Sequence, residues 1–189
     1  MTVPDFFKAT AFPWFITSML TSLLAVILTF VTRFGGLDWQ CATDTSSNEL
    51  CYEIDAPAYV NNPIKGDDFK ACGSLLIATA VFGIIGLMYD AFNGTSDNAI
   101  KFERFFDLLV RILCVLLSTA AWAHFVVTST PNDDEQAALD MFNTKLSYKT
   151  GFILTIVAWL LYMPALFRSL FNLLFFSEQT PRAFLDVPI

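Results

Sequence analysis

Four long apolar runs constrain this chain more than any other feature. They cover about residues 11–32, 71–89, 105–127 and 150–175. An α-helix needs about 20 apolar residues to cross the hydrocarbon of a bilayer, so each run is close to a full span. Charged residues make up only 15% of the chain, which indicates a lipid solvent rather than a large soluble core. The sequence therefore predicts an all-α membrane protein, a single domain over residues 1–189 in which four transmembrane helices form a bundle.

Polar segments connect the runs, and two of them are long. Residues 33–70 and 128–148 form loops on one side of the membrane, because four spans place both termini on the other side. The second run is rich in small residues, which allow close helix packing in lipid. In the fourth run, Arg168 is followed by aromatic residues, and we expect its charge to snorkel to the headgroups.

One charged pair lies inside a predicted span. Asp107 and Arg111 stand four residues apart, so they share a helical face and can form an intramembrane ion pair. The alternatives are a proton or ion path, or a docking point for a partner. A satisfied pair at the membrane boundary is favoured, because the sequence shows no further deep charge that would extend a path.

His124, the only histidine, lies in the apolar stretch AAWAHFVV. An ionisable group in a span is a candidate functional residue. A hydrogen bond to a neighbouring helix or a headgroup is the simpler interpretation, since a metal site or acid–base catalysis would need a second positioned group.

Several functional classes find no support. The net charge of −7 and the lack of a basic run argue against nucleic-acid binding. There is no Gly-rich phosphate loop, nucleophile elbow or HExxH motif, so we predict no enzyme activity, no cofactor and no metal. The acidic residues of the long loops are interpreted as a solvated face, although they could line an ion path, bind calcium or contact a basic partner.

The first long loop reads GLDWQCATDTSSNELCYEID. Gly36, Leu37, Trp39, Cys41 and Cys51 in this stretch resemble the loop motif of the claudin superfamily, with Trp39 displaced by one residue.

The start of the fourth run is similar to the amastins, the trypanosomatid tetraspans of that superfamily. The matching residues are Tyr148, Gly151, Phe152, Ala158 and Trp159. The Trp-Gly of the stricter amastin loop pattern is absent.

This resemblance implies a four-helix bundle with a small extracellular antiparallel sheet. It also implies a Cys41–Cys51 disulfide between neighbouring strands, with Trp39 at the membrane-proximal edge. The alternation in LCYEIDA independently favours a strand. The other possibility for the two cysteines is a pair of free thiols.

The orientation follows from weak signals. The side of the termini carries six Lys and Arg residues against five on the other side, which slightly favours cytosolic termini. A disulfide would need an oxidising face for the loops. The sequon Asn93-Gly94-Thr95 is on the side of the termini and opposes this orientation. We predict a multi-pass protein of the plasma membrane, with an organelle membrane as the alternative.

The leading functional prediction is a non-enzymatic tetraspan, a structural or accessory subunit that contacts the lipid bilayer and other membrane protein subunits, or itself laterally. A claudin-like adhesion and ion-selective protein is the alternative, and a channel or transporter is a third. The apolar C-terminus, Val187-Pro188-Ile189, could enter a PDZ groove.

Overall fold

The fold was obtained as a computed structural model. It describes residues 3–54, 65–93, 101–141 and 143–176, with side chains for 13–54, 65–91, 103–141 and 143–174. The sequon segment 94–100 and the C-terminal residues 177–189 lie outside the described residues, as does the side chain of Asn93.

Four long helices dominate the described chain. They are α1 (Val3–Phe34), α2 (Gly66–Asn93), α3 (Lys101–Ser129) and α5 (Thr150–Phe176). Each contains a stretch long and apolar enough to cross a membrane, namely Pro13–Phe34, Gly66–Ala91, Glu103–Ser129 and Thr150–Leu174. The predicted four-span architecture is therefore confirmed, although the helices begin and end up to several residues outside the predicted runs.

The helices form a closed ring. α1 packs against α2 and α5, and α3 packs against the same two helices. Hence α1 and α3 face each other along one diagonal of the bundle, and α2 and α5 along the other. Most large apolar side chains that remain exposed lie on the outer faces of these helices, as expected where lipid is the solvent.

A three-stranded antiparallel sheet lies at the end of the bundle where α1 ends and α5 begins, called here the sheet end. Its strands are β1 (Asp38–Thr43), β2 (Glu49–Glu53) and β3 (Lys145–Tyr148), in the order β2-β1-β3. β3 comes from the second long loop, so the sheet joins the two loops.

A short helix that the sequence did not predict, α4 (Asp133–Met141), lies between α3 and β3. The carboxylate of Glu135 accepts the Asn132 backbone N–H at 3.0 Å, and the Asn132 side chain accepts the Glu135 backbone N–H at 2.9 Å. This reciprocal pair is a capping box. At the other end Asn143 has a positive φ of 48°, and Thr144 donates to the Leu139 carbonyl. Caps at both ends therefore explain a helix that buries none of its residues.

Candidate functional site: the two ends of the bundle

The sheet end is built around Trp39. Its indole is fully buried and donates a hydrogen bond to the Thr32 carbonyl at 3.2 Å. Its ring lies 4.8 Å from that of Phe125 and 6.3 Å from that of Phe152, both edge-on. A register shift between Asp38 and Gln40 interrupts the strand at this residue. Such a bulge changes the direction of a side chain, and here the indole packs against α3 and α5 at the sheet end.

Gly151 makes room for this tryptophan. A Cβ at that position would lie 2.5 Å from the Trp39 ring, closer than side-chain carbons approach one another. Beside it, Tyr148 stacks on Phe152 with ring centroids 4.5 Å apart. Two residues of the fourth-run motif, Gly151 and Phe152, therefore lie against the tryptophan of the first-loop motif.

The two loop cysteines are joined. Cys41 and Cys51 are register partners on β1 and β2, and they form a disulfide. The Asp38 carboxylate lies close to both sulfurs. Because the sulfurs are already bonded to each other, this group offers a single carboxylate rather than a set of metal ligands.

The remaining motif residues of the first loop shape the turn that enters β1. Gly36 has a φ of +63°, which an L side chain rarely adopts, and Leu37 is half-buried.

The Lys149 side chain reaches across the sheet, and its Nζ lies 3.1 Å from a carboxylate oxygen of Glu49. The disulfide therefore fixes β2 to β1, and the Lys149–Glu49 ion pair links β2 to the end of β3.

The opposite end, called here the terminal end, holds four buried charges. The charge cluster consists of Asp90 on α2, Asp107 and Arg111 on α3, and Arg168 on α5, each at most 8% exposed. It contains two acids and two bases, so its formal charge is zero. The cluster lies close to the ends of the spans. Asp90 directly precedes the end of its span at Ala91, and Asp107 follows the start of its span at Glu103 by about one turn. Arg168 is deeper, about two turns before the end of its span at Leu174.

Arg111 is the hub of the charge cluster. Its Nη2 donates to Asp90 at 2.5 Å and to the Gly86 carbonyl at 2.8 Å, and its Nε donates to Asp107 at 3.2 Å. Its Nη1 donates to Ser22 on α1 at 3.3 Å. A Cβ at Gly86 would lie 2.6 Å from the guanidinium, so the absence of a side chain there admits the arginine.

Arg168 makes the second set of contacts. Its Nη1 donates to Asp90 at 2.7 Å and to Ser18 on α1 at 3.1 Å, and its guanidinium lies 4.7 Å from the Phe15 ring centroid. Ser169 donates a short hydrogen bond to Asp107. The cluster therefore connects all four helices and crosses both diagonals of the bundle.

One sequence interpretation needs correction here. Arg168 was expected to snorkel to the headgroups, but it is buried and forms an ion pair with Asp90 across the bundle. The predicted Asp107–Arg111 ion pair is present, and Asp90 and Arg168 join it although no further deep charge was expected. The available signal was the balance of charges in or beside the apolar runs, since Asp90 directly follows the second run and the other three lie inside runs.

His124 lies on α3 near the sheet end, half-buried. Its Nε2 is 3.6 Å from an Asp68 carboxylate oxygen on α2. The structure thus gives this histidine a partner on a neighbouring helix. Cys72 and Cys114 are buried free thiols.

These features define a class. Four spans, a disulfide-linked sheet over one end and polar contacts among the helices at the other describe a claudin-like tetraspan membrane protein. A family model, described as amastin surface glycoprotein, matches residues 5–168. The chain belongs to the amastin family. Comparisons with curated proteins and with solved structures gave no match.

Proposed function

We propose that the chain is a non-enzymatic structural tetraspan that assembles side by side in the membrane, either with other membrane protein subunits or with copies of itself. One observation carries this proposal. Each of the four deep charges is bonded to at least one other member of the charge cluster. A catalytic or transporting group must reach a substrate or exchange protons with water, whereas these groups connect helices.

The outer surface supports the same proposal. The outward-facing side chains of all four helices are largely apolar, for example Leu20 on α1, Val81 on α2 and Leu116 on α3. Such faces contact lipid or the faces of other membrane helices. At the sheet end, α4 and the strands present polar and acidic groups away from the bundle.

The assembly can be tested by native mass spectrometry of the full chain after extraction in a mild neutral detergent. Partner chains at a fixed ratio, or a fixed number of copies, are expected. A chain that appears only as a monomer across several detergents would contradict lateral assembly.

A transporter is the competing function, because buried acids and arginines also occur along proton paths. The chain reconstituted in liposomes with a trapped pH dye is expected to leak protons no faster than protein-free liposomes. A faster leak that Asp107→Asn abolishes would overturn the structural proposal.

We further propose that the sheet end faces the outside of the plasma membrane and that the termini are cytosolic. The Cys41–Cys51 disulfide supports this orientation, because disulfides persist in oxidising compartments. The sequon at Asn93 is a natural reporter, since it would then remain in the cytosol. Glycosidase treatment should leave the gel mobility of the chain unchanged at this site. A shift that Asn93→Gln abolishes would reverse the orientation.

A further inference from the structure

The contact between His124 and Asp68 has no part in the proposed function. It joins the last two turns of α3 to the first turn of α2. The Nε2 atom lies 3.6 Å from the Asp68 carboxylate, and the Nδ1 atom lies 3.5 Å from the Thr128 hydroxyl. The side chains of His124 and Asp68 are 35% and 52% exposed, and both residues lie within about two turns of the sheet end of their spans.

The length of this contact makes it sensitive to charge. A separation of 3.6 Å is longer than an ordinary N–H···O hydrogen bond. A protonated imidazole donates a charge-assisted bond to a carboxylate, and such bonds are about 2.7 to 2.9 Å long. Histidine is the side chain whose ordinary charge change falls between pH 5 and 8. An uncharged imidazole therefore leaves a loose contact here, whereas a charged imidazole would form an ion pair with Asp68.

The residues next to this pair contact both the aromatic core and α4. Phe69 follows Asp68 and packs against Phe125, which follows His124, with ring centroids 6.0 Å apart. Lys65, three residues before Asp68, bonds Glu135 of α4 at 2.8 Å. A closer approach of Asp68 to His124 would therefore reach both the aromatic core under the sheet and the short helix above it.

Other titratable and charged groups lie on the elements packed at this end. Most have partners of their own, since Asp67 pairs with Lys70, Lys65 with Glu135, and Lys149 with Glu49. Arg33 of α1 lies against Gly73 on α2, Asp38 is exposed on β1, and the buried thiol of Cys72 follows Asp68 by one turn. Asp68 is the carboxylate within ion-pair distance of His124 among the described residues.

We propose that His124 and Asp68 form a pH-sensitive clasp, in which protonation of His124 tightens α2 against α3 at the sheet end. The ion pair exists only while the histidine is charged. Its stabilising contribution should therefore be larger at pH 5.5 than at pH 8.0.

The clasp can be tested on the full chain in a neutral detergent by measuring Tm at pH 5.5 and pH 8.0. The quantity of interest is the Tm difference between the two pH values, compared with that of His124→Gln. The wild-type difference should exceed the variant difference by about 2 °C in favour of acid, given how Tm responds to stability in a chain of this size. Asp68→Asn should remove the same increment, and the double variant should remove no more than either single one.

Two further variants keep the test decisive. Asp67→Asn removes a neighbouring carboxylate that already pairs with Lys70, so it should keep the full pH response. If either single variant folds poorly, Asp68→Glu takes its place, and it should retain part of the pH response. An unchanged pH response in His124→Gln would overturn the clasp. So would a response that is lost in His124→Gln but kept in Asp68→Asn, because the histidine would then act through another group.

Discussion

The two ends of the bundle are held together by different chemistry. At the sheet end, a disulfide and an aromatic core fix loops that lie against the helices. At the terminal end, the charge cluster joins the helices directly, close to the ends of the spans. The first arrangement works in or near water, where covalent closure and apolar burial are effective. The second works in hydrocarbon, where a charge without a partner is costly and a balanced set is tolerated.

The two ends should therefore respond differently when one residue is changed. Removing one residue from a neutral set leaves an uncompensated buried charge, whereas changing one apolar contact leaves only a cavity or a clash. The following variants test that difference in order of decreasing effect.

The largest effect is expected from Arg111→Met. It leaves two acids, Asp90 and Asp107, with one arginine of the cluster, Arg168, which donates a hydrogen bond to Asp90. Breaking a buried ion pair by removing one partner costs about 3 to 5 kcal/mol. Equilibrium unfolding in mixed detergent micelles measures the loss. Arg104→Met, a half-exposed arginine on the same helix, is the matched control. Similar losses for both variants would mean that the charge cluster does not hold this end together.

The disulfide should contribute less. A chain-entropy estimate for a loop of this length gives about 3 kcal/mol, which the Cys41→Ser/Cys51→Ser double variant should lose. Reductant should produce the same loss in the wild type. Cys72→Ala/Cys114→Ala removes the two free thiols and should remain as sensitive to reductant as the wild type. A wild type whose unfolding ignores reductant would contradict the closed loop.

Gly151→Ala tests the space occupied by Trp39. The added methyl would lie 2.5 Å from the indole, so either the ring or the start of α5 must move. Overpacking of this kind costs about 1 to 3 kcal/mol. Tryptophan fluorescence and thermal unfolding report the change, and Gly73→Ala, whose added methyl would lie nearest the end of the flexible Arg33 side chain at 3.1 Å, is the control. Equal stability of the two variants would show that Trp39 is not tightly enclosed.

The smallest effect is expected at α4. The hydrogen bond from Lys65 and then that from the Asn132 backbone lower the pKa of Glu135. A carboxylate with a lowered pKa stabilises the fold above its unfolded pKa, and that stability is lost as the pH falls through the folded value. Glu135→Gln should therefore cost at most about 1 kcal/mol near neutral pH. Hydrogen exchange over residues 133–141 should become faster in the variant at pH 7 and converge with the wild type in strong acid.

Part of the sheet end could be predicted because the motif of Trp39, Cys41 and Cys51 is local in the chain, and its resemblance to a known loop motif implied the disulfide between neighbouring strands. The contact of Gly151 with the tryptophan was not predicted, because these residues are distant in the chain. The short helix α4 was not predicted, because its stability comes from capping hydrogen bonds rather than from an apolar face. Its capping residues, Asn132 and Glu135, were the signal that could have revealed it.

The charge cluster could be predicted only in part. The spacing of Asp107 and Arg111 revealed the one contact that is local in sequence. Asp90 and Arg168 are 78 residues apart, and their pairing depends on which helices face each other across the bundle. That arrangement follows from close packing at positions such as Gly86, which hydropathy does not encode.

On this account, the buried charges on different helices serve to join those helices. A double-mutant cycle between Asp90 on α2 and Arg111 on α3 tests it most directly, using Asp90→Leu, Arg111→Met and the combined variant. Each single change unbalances the cluster, while the double change leaves the neutral pair Asp107 and Arg168. The free energy of unfolding of the double variant should therefore exceed the additive expectation by about 1 to 3 kcal/mol. Additive losses would contradict the claim, because the two groups would then contribute independently.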